Sequence, residues 1–310
     1  MSVSPKELSL KPLVYFERSG EPAAVLGLSM TFYFGAQGKR ERRLGLIKAL
    51  EQFCQQSEGQ LCQYMIDGDK SYRKLNHGER PDLTLLSPMV DEKPDFQFNA
   101  GSALEGIASP WSTVSLALKV MRINRLGYLL LTYPLSILDQ IGSNGFIRQF
   151  ATICNDLEVE HAYAGLSPVF PHGVGGQNAA CKLIGNTLMN YPGLDASDLN
   201  TTALGFGDGI KSINFLTAVS HRLLEKAGGA QAILPGLDSR IWHCDYSNGI
   251  IFQAGEKPEL GSLNHPPAAY VALGKALKGV RADFNKTMFY DPEGKDHKAF
   301  SQRWLSRFDG

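Results

Sequence analysis

Apolar residues run through this chain in two rhythms, one of period two and one near 3.6, and the switches between them mark the elements. Residues 23–34, AAVLGLSMTFYF, are apolar almost throughout and are bracketed by Pro22 and Gly35. That run predicts a strand buried on both faces. From 38 to 56 the spacing becomes helical, with Leu44, Ile47, Leu50, Phe53 and Cys54 on one stripe. Lys39, Arg40, Arg42 and Arg43 crowd the start of that helix and oppose its dipole.

Alternation returns over 113–123, where Val114, Leu116, Leu118 and Val120 share a face, before NRLG turns the chain into YLLLTYPLSIL at 128–138. A hairpin at the heart of a sheet is expected. Phe146, Ile147, Phe150, Ile153, Cys154 and Leu157 then form the stripe of a helix over 144–157, with Ser143 as its N-cap. HAYAGLSPVF, 161–170, reads as the next strand. Helical spacing resumes over 177–189 and again from Ser212 to Ala227, where Leu216, Val219, Leu223 and Ala227 align ahead of Gly228-Gly229. RIWHCDYSNGIIFQ, 240–253, gives two short strands around Asn248-Gly249, a pair suited to positive φ in a tight turn. A last amphipathic helix covers 267–278.

Strands and helices in this order do not alternate regularly enough for a doubly wound parallel sheet. The fold class expected is α+β, a mixed and largely antiparallel sheet packed with amphipathic helices. One domain spans 1–310, with two lobes, about 1–110 and 111–310, as the alternative division. The units near 23–66 and 113–170 share a layout, though no sequence identity links them.

Composition changes this picture little. With 310 residues and 43% hydrophobic content, a substantial core can form. Thirty-one basic and thirty-one acidic residues cancel, so no global charge draws the chain to nucleic acid or an anionic membrane. Locally the balance tips, because acids outnumber bases ten to five over 51–110. The irregular segment 67–112 within it reads as a solvated surface or a partner-binding edge. The apolar run 127–138 is shorter than the roughly 20 residues of a membrane span and contains Pro134. MSVSPKELSLKP lacks the pattern of a secretory leader, so the expected location is the cytoplasm. Cys54, Cys62, Cys154, Cys181 and Cys244 read as reduced thiols.

Enzyme signatures fail one by one. In GIIFQAGEKPELGSLN, 249–264, Gly255 and Gly261 flank five residues, no Lys-Ser/Thr pair follows, and Pro258 removes a backbone donor, so the loop is no P-loop. HGVGGQNAACKL, 172–183, has Asn178 where a dinucleotide fingerprint needs glycine. GFGDGIKS, 205–212, suits a flexible helix entry with Asp208 at its tip. The histidines and cysteines lack metal-ligand spacing, and AGLSPVF is not a nucleophile elbow. No catalytic residue, cofactor or metal is expected.

SINFLTAVSHRLLEKAGG, GIIFQAGEKPELGSLN, RWLSRF, SPWSTVSLALKV and HAYAGLSPVF together resemble the type VI secretion immunity family for VRR-type nuclease toxins. The resemblance covers about 110–308. It implies a cytoplasmic antitoxin that binds a cognate nuclease effector, without touching nucleic acid or membrane itself and without catalysis. Trp304 and Phe308 look like a packing pair, with Arg303 and Arg307 on the next stripe. A nuclease cleft is basic, so a carboxylate surface with aromatic anchors is the expected complement. The candidates are Asp67, Asp69, Tyr72, Asp91, Glu92, Asp95 and Phe96, with Asp208, Asp245 and Tyr246 at loop tips. The competing readings are a small-molecule or nucleotide-binding enzyme using the glycine loops before the helices near 177 and 212, and a secretion adaptor.

Overall fold

The computed structural model describes residues 4–9, 11–35, 40–92, 95–104, 106–118, 125–171, 174–196 and 198–310. Lys39, the 119–124 turn of the expected hairpin, His172 and the side chain of Glu92 lie outside the described residues. Among the described residues eleven strands form one open antiparallel sheet. They are β1 Val14–Tyr15, β2 Pro22–Phe34, β3 Gln63–Ile66, β4 Arg73–Lys74, β5 Asp95–Gly101, β6 Ser112–Leu118, β7 Gly127–Tyr133, β8 Val159–Val169, β9 Leu216–Ser220, β10 Ile241–Tyr246 and β11 Gly249–Ala254. Their spatial order is β10-β11-β9-β8-β2-β7-β6-β5-β3-β4, with β1 paired to the start of β2. The fold is α+β, as the patterning predicts.

β2 lies between β7 and β8. Both of its faces are covered, which is why its sequence is apolar without alternation. On one face the helices Arg40–Gln56 and Ile137–Leu157 pack over Leu28, Met30 and Phe32 of β2 and Leu129, Leu131 and Tyr133 of β7. Phe53, Trp111 and Tyr133 meet edge to face at 5.4–5.6 Å between ring centroids, the arrangement their quadrupoles favour. The two helices cross where Gly45 meets Asp156, since a Cβ on Gly45 would lie 2.7 Å from the Asp156 carbonyl oxygen. Arg43, not Leu44, turns inward on the first helix. Its guanidinium donates to Val90 O at 2.8 Å and sits over the Phe96 ring, while Leu44 is 39% exposed.

Several expectations are corrected. Over 212–227 the chain forms β9 and then the short helix His221–Leu224, because β9 sits between β8 and β11 and all five of its residues are buried. Continuous burial mimics a helical stripe, and the Ser220 side chain, accepting from Leu223 N, starts the helix. A 3-10 turn, Glu225–Ala227, continues it, and Gly228 at φ +89° ends that turn where the sequence predicts a stop. The 177–189 helix is two pieces, Val174–Cys181 and Gly185–Asn190. The helix expected over 144–157 is present, beginning after the non-helical Gly142 (φ 67°, ψ 166°), and an additional turn precedes it from Ile137. Tyr246 pairs with Gly249, so Ser247 and Asn248 make the hairpin turn, and neither Asn248 nor Gly249 has positive φ. Gly249 is needed instead for close approach, since a Cβ there would collide with Val219 O. The segment 67–112, expected to be irregular, contains β5.

Candidate partner-binding surface

Within β5, Asp95-Phe96-Gln97-Phe98-Asn99 alternates, and the two phenylalanines are wholly buried in the helix-side core. Asp95, Gln97 and Asn99 therefore point to the opposite face of the sheet. Asp67 joins them, its backbone N–H donating to Gln97 O at 3.1 Å. Asp69 does structural work beside this row. One of its carboxylate oxygens accepts from Ile66 N (3.1 Å) and Arg73 Nε (3.0 Å), the other from an Arg73 terminal nitrogen (2.7 Å). The hydrogen bond from Arg73 is the largest cause holding the Asp69 carboxyl below the usual range. Tyr72 is half-buried in the same turn, and exposed Asp91 pairs with Arg40 at 3.2 Å. Phe96 lies under Arg43 and offers no surface to a partner.

The remaining candidates lie elsewhere. Asp208 is held by Arg222 and Lys226 at 3.5 and 3.6 Å. Asp245 is exposed on β10, while Tyr246 is buried and donates its hydroxyl to Val159 O at 2.8 Å. β10 is one edge strand and β3 lies next to the other edge. At roughly 4.8 Å per strand, the eight steps between them span about 38 Å. A standard interface covers roughly 800 Å² per partner, a patch about 30 Å across. Asp67 and Asp95 fit one such patch, and Asp245 belongs to another.

Sequence reading missed the pocket next to this row. It encloses about 80 Å³ and is floored by Thr31, Leu130, Val114 and Asn99, four residues in register across β2, β7, β6 and β5. Tyr128, Phe170, Pro168, Gln97, Gln177 and Asn200 help to wall it, and among the described residues no charged one lines it. Thr31 and Asn99 are 1% and 8% exposed, and Thr31 Oγ1 and Asn99 Oδ1 have no hydrogen-bond partner. The alternation in DFQFN was the one local clue. The pocket itself joins residues as far apart in sequence as Thr31 and Asn200, beyond the reach of any sequence window.

Farther along the same face, over β8, Lys211 Nζ donates to Asp195 Oδ1 at 2.7 Å and to Ala196 O at 3.1 Å, with both side chains buried. Burial pushes the Lys211 ammonium down, and Asp195 opposes the shift.

The family model described as type VI immunity for VRR-NUC, TsiV, matches residues 47–308. The chain belongs to this family. A solved structure of Pseudomonas aeruginosa T6SS protein PA0821 superposes with a TM-score of 0.81 at 23% identity, over 99% of this chain and 89% of that one. That likeness shows a shared TsiV-type fold. No curated protein sequence matches the chain.

Two of the motifs that carry the TsiV resemblance, RWLSRF and the AGEKPELG loop, are architectural. Trp304 and Phe308 are fully buried, and the Arg307 guanidinium lies over both rings at 3.8 and 4.4 Å. Arg307 also donates to Pro192 O, Leu194 O and Ser212 Oγ, tying the C-terminal segment to the chain that crosses the sheet. In AGEKPELG, Gly255 and Gly261 take φ of +87° and +63°, and Leu260 O accepts from Gly193 N at 2.7 Å. Glu256 and Glu259 remain exposed there. The loop at 205–212 leads into β9, so no helix N-terminus near 212 awaits an anion. Gly176 in the other glycine cluster packs on Pro171, where a Cβ would stand 2.8 Å from that ring. Among the described residues no helix is long and apolar enough to cross a membrane.

Proposed function

We propose that this TsiV-family chain neutralises its VRR-type nuclease effector by one-to-one binding, through the acid-rimmed face of the sheet at β3 and β5. The reading is carried by Asp95, Gln97 and Asn99 on one face of β5, with Asp67 bonded alongside. Carboxylates at this rim would draw a basic DNA-binding cleft and raise its association rate. The buried aromatic side chains behind them keep the row rigid, so little ordering cost falls on the complex. Inhibition of this kind needs no catalytic group in the immunity protein. Because a nuclease must be stopped where the DNA is, the chain acts in the cytoplasm of the producing cell.

Titrating the purified chain into its effector while following DNA cleavage tests the proposal. Activity should fall linearly and vanish at one equivalent. Undiminished cleavage at several-fold excess, with no complex on a sizing column, would sink it.

A further inference from the structure

The neutral pocket beside the acid rim is built for a particular kind of occupant. Its floor is a single cross-strand row, Asn99–Val114–Leu130–Thr31, held in register by four antiparallel strands. Such a floor has little freedom to rearrange. Yet it buries two hydrogen-bonding oxygens, Thr31 Oγ1 and Asn99 Oδ1, that have no partner. Native structures keep few such groups, and each calls for an explanation.

Charge, hydrogen-bonding capacity and size restrict what fits. With no charged side chain among the described residues of the lining, neither an ammonium nor a carboxylate would be compensated by them on entry. Asn99 Oδ1 accepts and cannot donate, so the ligand must bring a donor, while the Thr31 hydroxyl serves either role. A primary amide supplies donor and acceptor together. It also pairs with Asn99 if that side-chain amide is turned over, because amide-to-amide pairing is self-complementary. A volume of about 80 Å³ is below the roughly 150 Å³ of a closed cavity that holds a benzene ring, which favours a CH2–CONH2 group over a nucleobase or a sugar ring. Tyr128 and Phe170 add flat walls against which an amide plane can lie.

We infer that the pocket receives an asparagine or glutamine side chain from a loop of the nuclease and anchors the complex there. The inference rests on the proposed function and on continuity, since Asn99 and Gln97 line the pocket while Asp95 extends the same strand face into the acid rim.

Thr31→Val and Asn99→Leu test it by removing one unpaired oxygen each with little change of shape. Titration calorimetry against the effector should show Kd rising about tenfold or more for each variant, the size of one lost buried hydrogen bond. Melting temperatures should hold or rise, and Thr31→Ser should restore wild-type affinity. Wild-type chain that binds while both variants bind within twofold of it would overturn the pocket and leave the immunity reading intact. Wild-type chain that fails to bind would remove the reading itself. A second measurement needs no effector: acetamide, titrated into isotope-labelled protein, should saturably shift the backbone amide signals of Thr31, Asn99 and Val114, and acetate should not. No saturable shift with acetamide, or equal shifts with both, would count against an amide site.

Discussion

The two faces of the sheet obey different rules. Toward the helices Arg40–Gln56 and Ile137–Leu157, interlocked Phe32, Phe53, Trp111, Tyr133 and Phe150 make a core dominated by apolar contacts. Toward the other side, the polar residues Thr31, Asn99, His161, Lys211 and Asp195 are buried as well, beside a smaller apolar cluster that includes Tyr33, Leu116, Tyr163 and Leu199. The first face stabilises the fold by removing apolar area from water. The second is costlier to build, because each buried polar group must find a partner. The proposed binding surface lies on this second face.

Changes on the two faces should therefore differ in kind. The largest loss is expected from Phe150→Ala on the helix face, about 3–5 kcal/mol in urea denaturation, with affinity per folded molecule unchanged. On the polar face, Lys211→Met leaves Asp195 buried and unpaired and should cost a similar 3–5 kcal/mol. The double variant Lys211→Met/Asp195→Leu should recover most of that loss, because no buried charge remains. A double variant no more stable than the single one would show that these residues act through shape alone.

A smaller and pH-dependent effect belongs to His161. Its Nε2 lies 3.1 Å from Phe206 O, its ring stacks near Tyr33 and Tyr163, and burial, with Lys211 and Arg222 adding to it, lowers its pKa from 6.5 to about 3. The folded state thus disfavours the charged ring. Its contribution is fully present above pH 6.5 and is lost as pH falls toward 3, by about 1.4 kcal/mol per pH unit. Denaturation of wild type and His161→Gln between pH 7 and 4 should show a shallower slope for the variant, and parallel slopes would contradict this assignment. The last effect is read in kinetics rather than in denaturation: Asp67→Lys and Asp95→Lys should slow association with the nuclease and weaken its salt dependence. Asp69→Lys is the contrasting control, since it breaks the turn held by Arg73 and Ile66.

Much of the helix face was legible in the sequence, because period and apolarity announce a strand such as β2 or a stripe such as Phe146 to Leu157. The failures have physical causes. β9 was hidden because a strand buried on both faces has no alternation to read. β5 was passed over because Asp, Pro and Asn around it suggested a loop, although DFQFN alternates. The pocket was illegible for a deeper reason, since its floor is assembled by register between four strands, and register is a tertiary property. The acidic stretch was visible as composition, but not that Asp69 and Asp91 are tied to Arg73 and Arg40.

Hydrogen–deuterium exchange of the chain with and without its nuclease tests the central claim most directly. Protection on binding is predicted at 63–67, 95–101 and 112–118, with no change at 241–254. Protection confined to the β10–β11 hairpin, with β5 unaffected, would contradict it.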